Sequence, residues 1–77
     1  MEMPHYHRLS ELFKQLGLPS NAAAIGEFCA RYRLGRATAL YDAPFWTAQQ
    51  REFLREAWQD DADWVEPIDE LAARLRH

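Results

Sequence analysis

The sequence predicts an all-α domain of four short helices, at about 6–16, 21–33, 48–59 and 62–75, with an irregular packed strap between the second and third. Three observations carry this. Apolar residues recur with helical spacing in four separate segments. Cap or breaker residues bound most of them. The chain has 77 residues, 48% hydrophobic and 27% charged, which is ordinary globular composition for one domain.

In the first segment Leu9, Leu12, Phe13 and Leu16 fall on one face, and Tyr6 extends the stripe by a turn. Pro4 suits a first helical position, where its missing N–H costs nothing. Gly17 is the expected left-handed residue past the end, and Pro19 blocks continuation. In the second segment Ser20 or Asn21 can accept from an orphan backbone N–H, and the three alanines at 22–24 favour helix. Ile25, Phe28, Cys29 and Tyr32 give the apolar face. Gly26 inside it reads as a close approach to another helix. Glu27 and Arg31 are spaced to pair at i,i+4, and Leu34-Gly35 ends the helix.

Residues 35–46 have no helical period. Ala43 precedes a proline and should be extended. Leu40, Tyr41, Phe45 and Trp46 are too apolar to leave in water, so the strap should lie across the helices. Thr47-Ala48-Gln49-Gln50 fits a capping box opening the third helix. Phe53, Leu54, Ala57 and Trp58 form its expected buried face, with Arg51, Glu52, Arg55 and Glu56 outside. In the fourth, Trp64, Ile68, Leu71 and Leu75 are spaced 4, 3, 4 like a packing seam. Pro67 either starts this helix or bends it.

Net charge is −3. Residues 1–38 are net basic and residues 39–77 strongly acidic, so copies of the chain can attract each other. One cysteine excludes an internal disulfide and a multi-cysteine zinc site, and suits a reducing cytosol. The polar start reads as lacking a signal peptide, and no stretch approaches the roughly 20 apolar residues of a membrane span. The expected location is cytoplasmic.

Four groups invite a chemical reading. The helical pair 6–33, with Arg31, Arg33 and Arg36, has helix-turn-helix proportions. Its second helix, however, opens Ser20-Asn21-Ala22-Ala23-Ala24, which holds no arginine or lysine where bases are read. An acidic protein also repels phosphate, so nucleic-acid binding is the runner-up. His5 and His7 with Met1 and Met3 are soft ligands near a chain end, short of a held geometry. Asp60, Asp61, Asp63 and Glu66 lack calcium-loop spacing and fit helix capping. Cys29 lies on an apolar stripe, as a structural thiol does. No nucleophile motif or phosphate loop occurs. The expectation is a protein without catalytic residues, metal, cofactor or small-molecule substrate.

The run Asp42-Ala43-Pro44-Phe45-Trp46-Thr47, continued by Gln50, Phe53-Leu54 and Glu56, resembles a family of short bacterial proteins classed as a domain of unknown function. So do Asp61-Ala62-Asp63-Trp64, Asp69-Glu70-Leu71 and the opening Leu9 to Pro19. The resemblance implies a small free-standing bacterial protein and carries over no site residues. Pro67 departs from the smooth last helix it implies.

A chain this short buries only about 60–65% of its unfolded surface. The expectation is therefore an interaction protein, a homodimer or one with another protein partner. Phe45, Trp46, Trp58, Trp64, Ile68, Leu71 and Leu75 are the candidates for the packed seam, between helices or between copies.

Overall fold

The computed structural model describes residues 8–77. It is all-α: α1 (Leu9–Gln15), α2 (Ala22–Arg31), α3 (Ala48–Asp60) and α4 (Ala62–Leu75), with a 3-10 turn at Leu40–Asp42. The number of helices and their order are as the sequence predicts. There is no strand among the described residues.

α1 begins later than expected. Arg8 is extended (φ −89°, ψ 162°), and its N–H donates to the Glu11 carboxylate at 2.8 Å, so the helix starts at Leu9 rather than at 6. Tyr6 and Pro4 lie outside the described residues. Gly17 adopts the left-handed conformation at φ +74° that stops the helix. Asn21 caps α2, its side chain accepting from the Ala24 N–H at 2.8 Å.

α2 ends at Arg31, two residues before the expected boundary. Tyr32 is extended (φ −109°, ψ 156°). The cause is distant in sequence. The Leu34 N–H donates to Leu75 O at 2.8 Å, Arg33 Nε donates to His77 O at 2.6 Å, and Arg76 donates to Thr38 O at 3.0 Å. These bonds lay residues 33–38 alongside the end of α4, where carbonyls have no partner within the helix.

Gly26 is not a close-approach point: a Cβ built there meets nothing within 4 Å. Gly35 is, since its Cβ would stand 2.9 Å from Thr38 Oγ1. Glu27 and Arg31 form no ion pair among the described residues. Those that form are Glu52–Arg55 at 2.8 Å and Glu70–Arg74 at 3.1 Å.

The strap packs as expected. Leu40, Ala43 and Trp46 are buried, Ala43 is extended, and Trp46 Nε1 donates to Leu40 O at 2.8 Å. Thr47 and Gln50 form the capping box at the start of α3. Gln50 does a second task. Its Nε2 donates to Leu16 O at 2.8 Å and ties α3 to the end of α1. α3 and α4 are joined by one residue: Asp61 closes α3 with its N–H on Ala57 O and caps α4 by accepting from the Asp63 N–H.

α4 is the centre of the fold and packs against α1, α2, α3 and the 3-10 turn. It runs unbroken through Pro67, which leaves the Asp63 carbonyl without its helical donor. The proline ring is fully buried and adds to the core. Trp64, Ile68, Leu71 and Leu75 are also buried, so the 4, 3, 4 seam lies between helices of one chain.

Candidate functional site

Of the seven residues expected at a packed seam, Trp46, Trp64, Ile68, Leu71 and Leu75 are enclosed within the subunit. Phe45 is half-buried in a ring cluster, its centroid 5.9 Å from that of Phe28 and 4.6 Å from that of Tyr32. Phe28 lies at the centre of that cluster, edge-on to Phe13 at 5.4 Å and stacked on Trp46 at 5.6 Å. Trp58 differs. It is the exposed large hydrophobic residue among those described, with 39% of its surface accessible, and so does not belong to the buried face of α3 expected for it.

Trp58 stands at the edge of an apolar groove of about 170 Å³. Leu40 and Tyr41 of the strap form one side, and Ile68 and Ala72 of α4 belong to its lining. Two charged residues, Asp69 within α4 and Arg76 at its end, complete it. The groove forms because the 3-10 turn packs on both α3 and α4 and brings Leu40 and Tyr41 against them. Next to Trp58 on the outer side of α3, the Arg55 guanidinium donates to Glu52 at 2.8 Å and holds that carboxyl below the usual carboxylate range.

Arg76 also lines a second, more open cleft with Arg33, Arg36 and His77. Two of its arginines are already positioned, Arg33 on His77 O and Arg76 on Thr38 O, and each guanidinium keeps further donors. His77 Nε2 lies 2.9 Å from Cys29 O and 3.2 Å from Tyr32 O, which fixes the ring over the end of α2. The basic patch read from the sequence is thereby divided. Arg33 and Arg36 share the cleft, whereas Arg31 lines a depression with Glu27, Phe28 and Tyr32.

The other candidates stay apart. His5, His7, Met1 and Met3 lie outside the described residues. Among the described residues no three His, Cys, Asp or Glu side chains gather as metal ligands, and in the acidic run Asp61 is occupied as a cap. Cys29 is buried, and burial raises its thiol pKa, with Arg74 lowering and Glu70 raising it by smaller amounts. No helix among the described residues is long and apolar enough to cross a membrane.

Arg76 and His77 were not singled out by sequence reasoning, Tyr41 was read only as part of the packed strap, and Asp69 only within the run that carries the family resemblance. They come from the strap, the middle of α4 and the chain beyond it, and only folding assembles them. The one available signal was the spacing of Ile68, Asp69, Ala72 and Arg76, which places them on one side of a helix.

A family model described as "Protein of unknown function (DUF2789)" matches residues 1–75. No curated protein and no solved structure matches the chain.

Proposed function

The chain belongs to the DUF2789 family, whose description specifies no activity, and we propose from its surface that it works by protein–protein contact, as a cytosolic homodimer rather than an enzyme. The observation behind this reading is Trp58, 39% exposed at the edge of an apolar groove. With 39% of its surface accessible, the indole forgoes burial of about 60–100 Å² of the about 150–250 Å² that an aromatic side chain can bury, and tryptophan is enriched at the centres of interfaces. A second copy is a chemically suitable occupant, because it brings the same indole, and in a two-fold contact each copy gives and receives it.

Sedimentation of the full chain across micromolar to millimolar concentration tests the proposal. A dimer that dissociates on dilution and is lost in Trp58→Ala supports it. A 9.0 kDa monomer throughout refutes it.

A nucleic-acid-binding regulator using the helical pair 6–33 with Arg31, Arg33 and Arg36 is the second reading; the cleft of Arg33, Arg36, Arg76 and His77 supports its basic surface, beyond the end of α2 and apart from Arg31. That reading requires affinity that falls steeply with salt and is lost when Arg31, Arg33 and Arg36 become Ala. No binding to bulk DNA or RNA at low salt ends it.

A further inference from the structure

We propose that the cleft of Arg33, Arg36 and Arg76 is a binding site for a small polyanion of the diphosphate class. The site goes beyond the functions proposed above, since it needs neither a second copy of the chain nor Arg31.

Two pieces of chain far apart in sequence build the cleft. Residues 33–36 supply one part of its lining and residues 76–77 the other. Three bonds fix the first piece. The Leu34 N–H donates to Leu75 O at 2.8 Å, the Thr38 N–H closes a turn on Gly35 O at 3.1 Å, and Arg76 donates to Thr38 O at 3.0 Å. Glycine suits that turn, because a Cβ at position 35 would stand 2.9 Å from Thr38 Oγ1. Arg36 lies within the turn, in the same cleft as Arg33 and Arg76, which their bonds to His77 O and Thr38 O hold in place.

The charge of the cleft has one sign. Among the described residues, no Asp or Glu lines it, and none of the three arginines forms an ion pair. Asp69 lines the neighbouring groove by Trp58 instead. Guanidiniums gathered in this way repel one another, and the bonds that gather them act against that repulsion. A cleft of one sign concentrates the opposite sign, so its ligand is an anion.

Residue type and volume narrow the anion. A guanidinium is a planar fork that matches two oxygens of a phosphate or carboxylate at once. Arg33 uses Nε on His77 O and Arg76 uses one terminal nitrogen on Thr38 O, and both keep their other donors. The Arg36 guanidinium makes no hydrogen bond among the described residues. Three forks call for more than one anionic group. The cleft, at about 620 Å³, is within the about 300–1,000 Å³ of small-molecule sites and larger than a single phosphate. A diphosphate, free or carried by a nucleoside, meets both requirements.

Titration of the full chain with pyrophosphate tests this, with ionic strength held constant by sodium chloride and the backbone amides and arginine side chains followed by NMR. Saturable shifts centred on Gly35, Arg36 and the Arg33 Nε are expected. Arg36→Gln, checked for helicity by circular dichroism, should weaken binding by about tenfold or more through lost charge-assisted hydrogen bonds. Arg31→Gln, outside the cleft, and Trp58→Ala, at the groove, should leave it unchanged. A nucleoside diphosphate separates the two sources. Affinity equal to that of pyrophosphate assigns the site to the diphosphate alone, and tighter binding assigns it to the whole nucleotide.

Shifts that fail to saturate would overturn the proposal. So would equal weakening by Arg31→Gln and Arg36→Gln, which marks attraction by net charge alone. A single-stranded oligonucleotide that displaces pyrophosphate and depends on Arg31 as well as Arg36 would give the cleft to the nucleic-acid reading and overturn this one. A chain that stays monomeric removes the homodimer and leaves pyrophosphate binding as it is.

Discussion

Gln50→Glu is nearly isosteric and separates the two tasks of one side chain. The capping-box half survives, because a carboxylate oxygen in place of Oε1 still accepts from the Thr47 N–H, as the amide does at 2.9 Å. The other half reverses. The Nε2 donor 2.8 Å from Leu16 O becomes a carboxylate oxygen facing a carbonyl. The lost bond costs about 0.5–1.5 kcal/mol, and leaving the part-buried carbonyl unpaired against a charge adds about 1–2 kcal/mol. The sum is about 1.5–3.5 kcal/mol, centred near 2.5 kcal/mol. For a domain of this size each kcal/mol shifts Tm by about 4–8 °C, so a fall of about 10–20 °C is expected at pH 7. The penalty depends on protonation. Facing an acceptor raises the folded-state pKa of the introduced carboxyl above its unfolded value of about 4.3. The variant's stability is therefore recovered below the unfolded pKa and lost as pH rises through the folded one. Thermal unfolding of variant and wild type by circular dichroism at pH 7 and near pH 3.5 reads the difference. An equal Tm at pH 7, or a gap that does not narrow in acid, would refute the tie between α3 and α1.

Three further outcomes are expected. Pro67→Ala restores a backbone donor to Asp63 O and removes a helix-interior penalty of about 3 kcal/mol, against about 1–2 kcal/mol of lost apolar burial, so urea unfolding should show a modest net gain in stability. The two glycines should respond with opposite sign: Gly26→Ala stabilises by about 0.5–1 kcal/mol, while Gly35→Ala, whose Cβ meets Thr38 Oγ1 at 2.9 Å, destabilises by about 1–2 kcal/mol, both read from the same urea midpoints. Cys29, with its thiol pKa raised by burial, should react with a maleimide far more slowly in the native chain than in denaturant. The native rate should still be climbing with pH above the ordinary thiol range of about 8.5.

What could be read from the residues was local. Thr47 and Gln50 specify the start of α3 within four positions, and Gly17 stops α1 by its own freedom at φ +74°. The seam of α4 is periodic, and a period survives any packing partner. What escaped was non-local. The end of α2 is set by Leu34 bonding to Leu75, 41 positions away, and nothing near Tyr32 announces it. Gly26 and Gly35 look alike as letters, and only the position of Thr38 tells them apart. Trp58 follows Leu54 at helical spacing, yet it falls at the edge of the apolar stripe, and periodicity gives the direction of a stripe better than its width. The groove draws on the strap, α3 and α4, so its outline required their contacts.

The single-residue joint at Asp61 has a consequence for how this chain can vary in length. An extra residue there would have to be absorbed by one of the two helices, turning α4 by about 100° and advancing it by about 1.5 Å. That rotation would carry Trp64, Ile68 and Leu71 out of the interior together. Insertions between the helices are thus confined to the bend around Pro19 and the strap, while α3 and α4 behave as one piece of fixed measure.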